Sequence, residues 1–315
     1  SYSEDLEYYS PPVIAVTANG DTLAANGSVL WNSARQKTHN LHASGLAGLS
    51  ETYDMLINRD GQAWFATSGG LVSYDGAQWT LIPYPFVVSS EWDELLALAL
   101  NSRGEIWLQH QDDIYQIETD DLSLVKKFSG LKEIAFDLQN NLWALSSDKV
   151  QRLRDGTWKQ FAKESGLPAT GLQDMYIDAS GKVWILALKT IHSFNGSSWS
   201  AIKVPIEIED GDGLCVDSKG VVRLFESGSN FEGYYWFTNG KWQYAGGFAA
   251  KTSSYIADDK GGWWCWTSFP GPGDGWAYHS NGQSDNQVPG SPRSYCKGIY
   301  IDSNNNKWFI LPDEI

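Results

Sequence analysis

An all-β propeller, built from repeated four-stranded antiparallel blades, is the fold class this chain predicts. Three observations predict it. A motif recurs roughly every 41 residues along the chain, each copy contains one turn signal, and a second turn signal follows about 15 residues later.

The first signal is DxxGxxW. A degenerate copy, Thr17/Gly20/Leu23, opens the series, followed by Asn58/Gly61/Trp64, Asn101/Gly104/Trp107, Asp137/Asn140/Trp143 and Asp178/Gly181/Trp184. Asp217/Gly220/Arg223, Asp258/Gly261/Trp264 and Asp302/Asn305/Trp308 complete it. Successive first positions stand 41, 43, 36, 41, 39, 41 and 44 residues apart. Each motif has a short apolar run before it, such as Leu98 to Leu100, Met175 to Ile177 or Ile299 to Ile301, and a second run that carries the Trp. The turn between them needs a residue tolerant of positive φ, hence Gly in most copies and Asn140 or Asn305 in the others. The second signal is Tyr74-Asp75-Gly76 before Trp79, Arg154-Asp155-Gly156 before Trp158, Phe194-Asn195-Gly196 before Trp199, and Thr238-Asn239-Gly240 before Trp242. Two hairpins per repeat make a four-stranded blade.

Eight inner hairpins and seven outer ones can be counted, so eight blades are favoured and seven are the alternative. Ring closure is expected from residues 1–10: the alternating DLEYYS of residues 5–10 would add an outer strand to the blade of residues 297–311 and cover its open edge. The whole of 1–315 then reads as one domain, with the repeats over 11–311.

The pattern resembles the two-component regulator propeller repeat, on SGLPATGLQDMYIDASGKVW at 165–184 and NRDGQAWFATSGGLVSYDGAQW at 58–79. That resemblance implies a sensor or recognition propeller, exported to the extracellular space or periplasm. Streptogramin lyases have a propeller of similar repeat style and use His and Glu with Mg²⁺. This makes a lyase an alternative, with His110 and Glu226 as the residues to test, beside a second alternative, a structural or assembly subunit that docks protein partners.

Composition narrows the partners. A net charge of −15 and a pI near 4.7 argue against nucleic acid and anionic membrane surfaces. The longest apolar run, near Leu95 to Leu100, is too short to span a bilayer, and no charged-then-apolar leader opens the chain. The three cysteines, Cys215, Cys265 and Cys296, form no zinc spacing. They read as buried thiols, with a Cys265 to Cys296 bridge left open.

Most of the 16 tryptophans recur at repeat positions and are expected to fill the wedge between blades. Trp92, Trp263, Trp266 and Trp276 do not. Two neighbouring blades also carry long connections between their second and third strands, ESGSNFEG at 226–233 and TSFPGPGDG at 267–275, where most are very short, as at Ser68 to Gly70, Ser146 to Asp148 and Ala187 to Lys189. The expected ligand-binding set is Trp92, Arg223, Glu226, Phe231, Trp266, Phe269, Asp274 and Trp276. It suits a glycan, a small molecule or a protein partner. Arg223 replaces the repeat Trp, and a salt bridge to Glu226 or to the acidic stretch 207–212 competes with a ligand-anchoring role. A third candidate is the connection from Pro83 to Glu94, with Tyr84, Phe86 and Trp92. No catalytic constellation emerges from His39, His42, His110, His192 and His279, and no cofactor is expected. Asp210 and Asp212, in a Gly-rich acidic run, are weak candidates for Ca²⁺.

Overall fold

The computed structural model describes residues 13–16, 22–26, 29–32, 37–40, 52–58, 62–75, 78–88, 96–118, 121–208, 213–217, 219–225, 233–246, 251–257, 263–268, 275–280, 285–287, 298–301 and 307–310. Among the described residues, seven four-stranded antiparallel sheets follow one another along the chain, over 13–40, 52–82, 96–127, 131–161, 172–203, 213–246 and 251–287, with a two-stranded eighth over 298–310. In the first, seventh and eighth sheets only the backbone is described. Each sheet is a meander, its strands hydrogen-bonded in sequence order, as the two turn signals require. The first strands of successive sheets lie beside one another from the first sheet to the eighth. The closing strand expected within residues 1–10 lies outside the described residues. The one regular helical segment described is a single 3-10 turn, Lys163–Ser165.

The first turn shows why DxxGxxW recurs. Asp178 accepts the backbone N–H groups of Ser180 and Lys182 on Oδ1, at 2.9 and 3.1 Å, and the indole N–H of Trp184 on Oδ2 at 2.8 Å. Asp137 repeats this with Gln139, Asn141 and Trp143, at 2.9, 2.9 and 2.7 Å. One carboxylate therefore fixes the turn with one oxygen and orients the wedge residue with the other. Gly181 and Asn140 occupy the left-handed position, at φ 80° and 60°. Burial alone would raise the Asp178 pKa, but the donated hydrogen bonds outweigh it and hold the carboxyl below its usual range.

Once oriented, the tryptophans fill the space between sheets. Trp143 joins Val183, Ile185 and Phe194 of the following sheet in one apolar cluster. Trp184 does the same with Leu214, Val216 and Leu224, and Trp64 with Leu96, Ile106 and Leu108. The outer tryptophans Trp79, Trp158, Trp199 and Trp242 are half-buried.

Copies that begin with Asn differ. Asn58 Oδ1 receives the Gln62 N–H, and Gln62 Oε1 in turn accepts the Trp64 indole at 3.1 Å. Asn101 Oδ1 holds the turn in the same way, but its Nδ2 donates to Glu105, and the buried Trp107 indole N–H has no hydrogen-bond partner. An amide offers one acceptor oxygen where a carboxylate offers two.

A second repeated device lies on the first strands, which have an open edge. The second, fourth, fifth and seventh sheets share a register shift there, just before Asp54, Glu133, Asp174 and Ser254. Asp54 accepts the N–H of Leu98 at 2.7 Å, Glu133 that of Met175 at 3.2 Å, and Asp174 that of Leu214 at 3.2 Å, each on the first strand of the next sheet. Burial, and then the charge of Asp174, push the Glu133 carboxyl up to about 8, against the lowering effect of the Met175 amide.

Two outcomes are expected. The double substitution Asn101→Asp with Glu105→Asn copies the arrangement around Asp137 and gives Trp107 an acceptor. It should raise stability by about 1–3 kcal/mol in urea unfolding. Because the Glu133 pKa is raised on folding, the folded state holds the extra proton, and its contribution to stability is lost as pH rises from about 4.3 to near 8. Glu133→Gln should lose most of that dependence and exceed the native protein at pH 8 by about 1–3 kcal/mol, as read from denaturation midpoints across pH.

Candidate functional site

The two ends of the sheets differ. One carries the DxxG and Asp-Gly or Asn-Gly turns; the other carries the connections between second and third strands. At this second end the connection is short in the second, fourth and fifth sheets, where Thr67 leads to Gly70, Ser146 to Val150 and Ala187 to Thr190. In the sixth sheet it runs from Phe225 to Gly233 and in the seventh from Ser268 to Gly275. These are neighbouring sheets, as the sequence implies. Glu226, Phe231, Phe269 and Asp274 fall in these two connections and, like Trp92, Asp210 and Asp212 elsewhere in the chain, lie outside the described residues. Trp266 pairs with Ala277 and Trp276 with Thr267, beside the second connection. The two tryptophans are one step apart on the ladder and so occupy alternate faces of the sheet.

The aromatics of the 83–94 connection that are described serve packing. Tyr84 stacks on Phe86 at 4.6 Å, Phe86 stacks on His110 at 3.7 Å, and the Tyr84 hydroxyl accepts the Thr67 N–H. They close the space between the second and third sheets.

Arg223 is 3% exposed, and its Nη1 donates to Asp217 Oδ2 at 2.7 Å. This is the oxygen that receives the indole in the Asp137 and Asp178 copies. Asp217, which was not among the expected partners, is thus a partner of Arg223; of the expected ones, Glu226 and 209–212 lie outside the described residues. The six-residue step of the repeat already sets side chain and carboxylate against each other, and Asp217 still holds its turn through the Lys219 and Val221 amides, both at 2.9 Å. Glu207 lies at the surface, 3.3 Å from Lys189.

A cleft of about 430 Å³ opens at the turn end, between the fourth and fifth sheets. Asp137, Trp143, Arg152 and Arg154 face Lys182 and Phe194 across it, and the turns at Ser180-Gly181 and Asn195-Gly196 form its rim. The Arg152 guanidinium lies over the rings of Trp143, Phe161 and Phe194 at 5.4, 5.7 and 5.7 Å. Lys182 Nζ sits 4.1 Å from the Trp184 ring centre, and Arg154 is exposed with its Nε 3.5 Å from Asp155. The expected set contains none of these residues. The available signal was Arg152 and Arg154 on a third strand where the second sheet has Val72 and Tyr74. Among the described residues no group of three His, Cys, Asp or Glu is placed to hold a metal, and no helix is long and apolar enough to cross a membrane.

The Arg223 position yields a paired expectation. Arg223→Leu strands the buried Asp217 carboxylate and should cost about 3–5 kcal/mol. Arg223→Trp restores the indole donor and should stay within about 1 kcal/mol of the native protein. Chemical denaturation of the two variants separates a structural ion pair from a residue with no part in stability.

The fold is similar to that of virginiamycin B lyase from Staphylococcus aureus, with a TM-score of 0.58 and 16% identity over 83% of this chain and 92% of that one. It is also similar to YCF48 bound to D1 peptide, with a TM-score of 0.58 and 13% identity over 82% and 90% of the two chains. The extracellular domain of a putative one component system from B. thetaiotaomicron matches with a TM-score of 0.55 and 11% identity, over 96% of this chain and 52% of that one. No protein-family model and no curated protein matches the sequence. At these identities the likeness is one of fold, a propeller of antiparallel sheets.

Proposed function

We propose that the chain is a non-enzymatic, exported recognition module that binds a glycan, a small molecule or a protein partner at the end of the propeller bearing the long connections. The observation that carries this reading is the contrast in connection length between the sixth and seventh sheets and the second, fourth and fifth. A repeat scaffold does not need that contrast for its own stability, and variable loops on a rigid frame are where recognition concentrates. The acidic residues of the repeat that are described, Asp137, Asp178 and Asp217, are bound into their own turns and so are committed to structure. Solved structures of the same fold include the extracellular domain of a putative one component system and a peptide-bound protein, which accords with a binding role. In this reading the ring has eight blades, closed by residues 1–10 against the last sheet.

A glycan array and a pull-down with the exported proteins of the source cell supply the ligand. Trp266→Ala and Trp276→Ala, made separately because the two positions lie on alternate faces, should then differ: the one that meets the ligand weakens its binding by roughly thirtyfold, the effect of removing an aromatic anchor, with the circular dichroism spectrum unchanged. Undiminished affinity in both variants places recognition elsewhere on the molecule. Turnover of a streptogramin with added Mg²⁺ replaces this reading with the lyase one.

A further inference from the structure

The cleft between the fourth and fifth sheets has a charge opposite to that of the chain. Against a net charge of −15, it places Arg152 and Arg154 beside one carboxylate, Asp137. That carboxylate already accepts from Gln139, Asn141 and Trp143. Arg152 is held by ring faces, which position a cation without using its N–H donors. Arg152 Nε is buried and has no hydrogen-bond partner in the protein. Burial first, and then the neighbouring Arg154, disfavour the Arg152 charge, while Asp137 favours it. A buried cationic donor of this kind is satisfied by an oxyanion, and the planar guanidinium fork matches a carboxylate.

We propose that this cleft binds a small organic acid through its carboxylate, with Arg152 as the anchor and Arg154, two residues further along the same strand, as the second arm. Trp143, Phe194 and Val183 supply apolar surface for the carbon skeleton. A volume of about 430 Å³ is that of a small-molecule site. The site lies at the turn end, away from the long connections, and involves none of their residues, so either reading can fail without the other.

Arginine Nε–Hε resonances in a proton–nitrogen spectrum of the full chain report on the anchor directly, with Arg152 assigned from the signal lost in Arg152→Lys. Benzoate should shift this resonance saturably, and benzyl alcohol, its neutral counterpart, should leave it in place. Arg152→Gln and, separately, Arg154→Gln should weaken benzoate binding by about tenfold or more, as the loss of a charge-assisted hydrogen bond does. The Arg154 variant carries the test if Arg152→Gln does not fold. An unmoved resonance, an equal response to benzyl alcohol, or undiminished affinity in both folded variants overturns the proposal. Saturable shifts with sulfate or inorganic phosphate but none with benzoate overturn it as well, and leave an inorganic oxyanion site.

Discussion

Everything in this molecule hangs on one carboxylate performing two tasks. Asp137 and Asp178 each satisfy two backbone amides of a tight turn with one oxygen and an indole N–H with the other. The turn makes the hairpin, and the indole sets the angle at which a large apolar side chain meets the next sheet. Local backbone geometry and long-range packing are thereby joined in a single residue, and repeating the residue repeats the blade. A buried Trp contributes strongly through its area alone, but area has no direction. The hydrogen bond to the carboxylate supplies it.

The first strands present the complementary problem. Each has a sheet neighbour on one side only, and unpaired strand edges are a liability. Asp54, Glu133 and Asp174 answer it by reaching across to an amide of the following sheet. Two of these carboxylates, Glu133 and Asp174, lie close enough to oppose each other's ionisation, so the same groups that join the sheets make their junction sensitive to protons.

The architecture was legible because its signals are local and repeated. Asp-Gly and Asn-Gly turns, and a Trp six residues after an Asp, can be read directly from the chain. The partner of Arg223 was legible in principle from that same spacing, since Asp217 stands where Asp137 and Asp178 stand for their tryptophans. Sequence reasoning looked to nearer or denser acidic residues instead. The cleft was harder to see. Arg152 and Arg154 come from one repeat, Val183 and Phe194 from the next, and they become neighbours only when two sheets are set side by side. An acidic total charge also concealed two clustered cations, because composition averages over space.

The exchange of Trp for Arg at position 223 also limits what the chain can become. Where Trp follows, the first position of the motif tolerates Asn, as at Asn58 and Asn101, because a neutral indole that loses its acceptor forfeits only one hydrogen bond. With Arg in that place the same change at Asp217 would strand a buried cation. The substitution has therefore entrenched its partner: a position free to drift in other repeats is locked in this one, and the order in which the two residues can be replaced is no longer arbitrary.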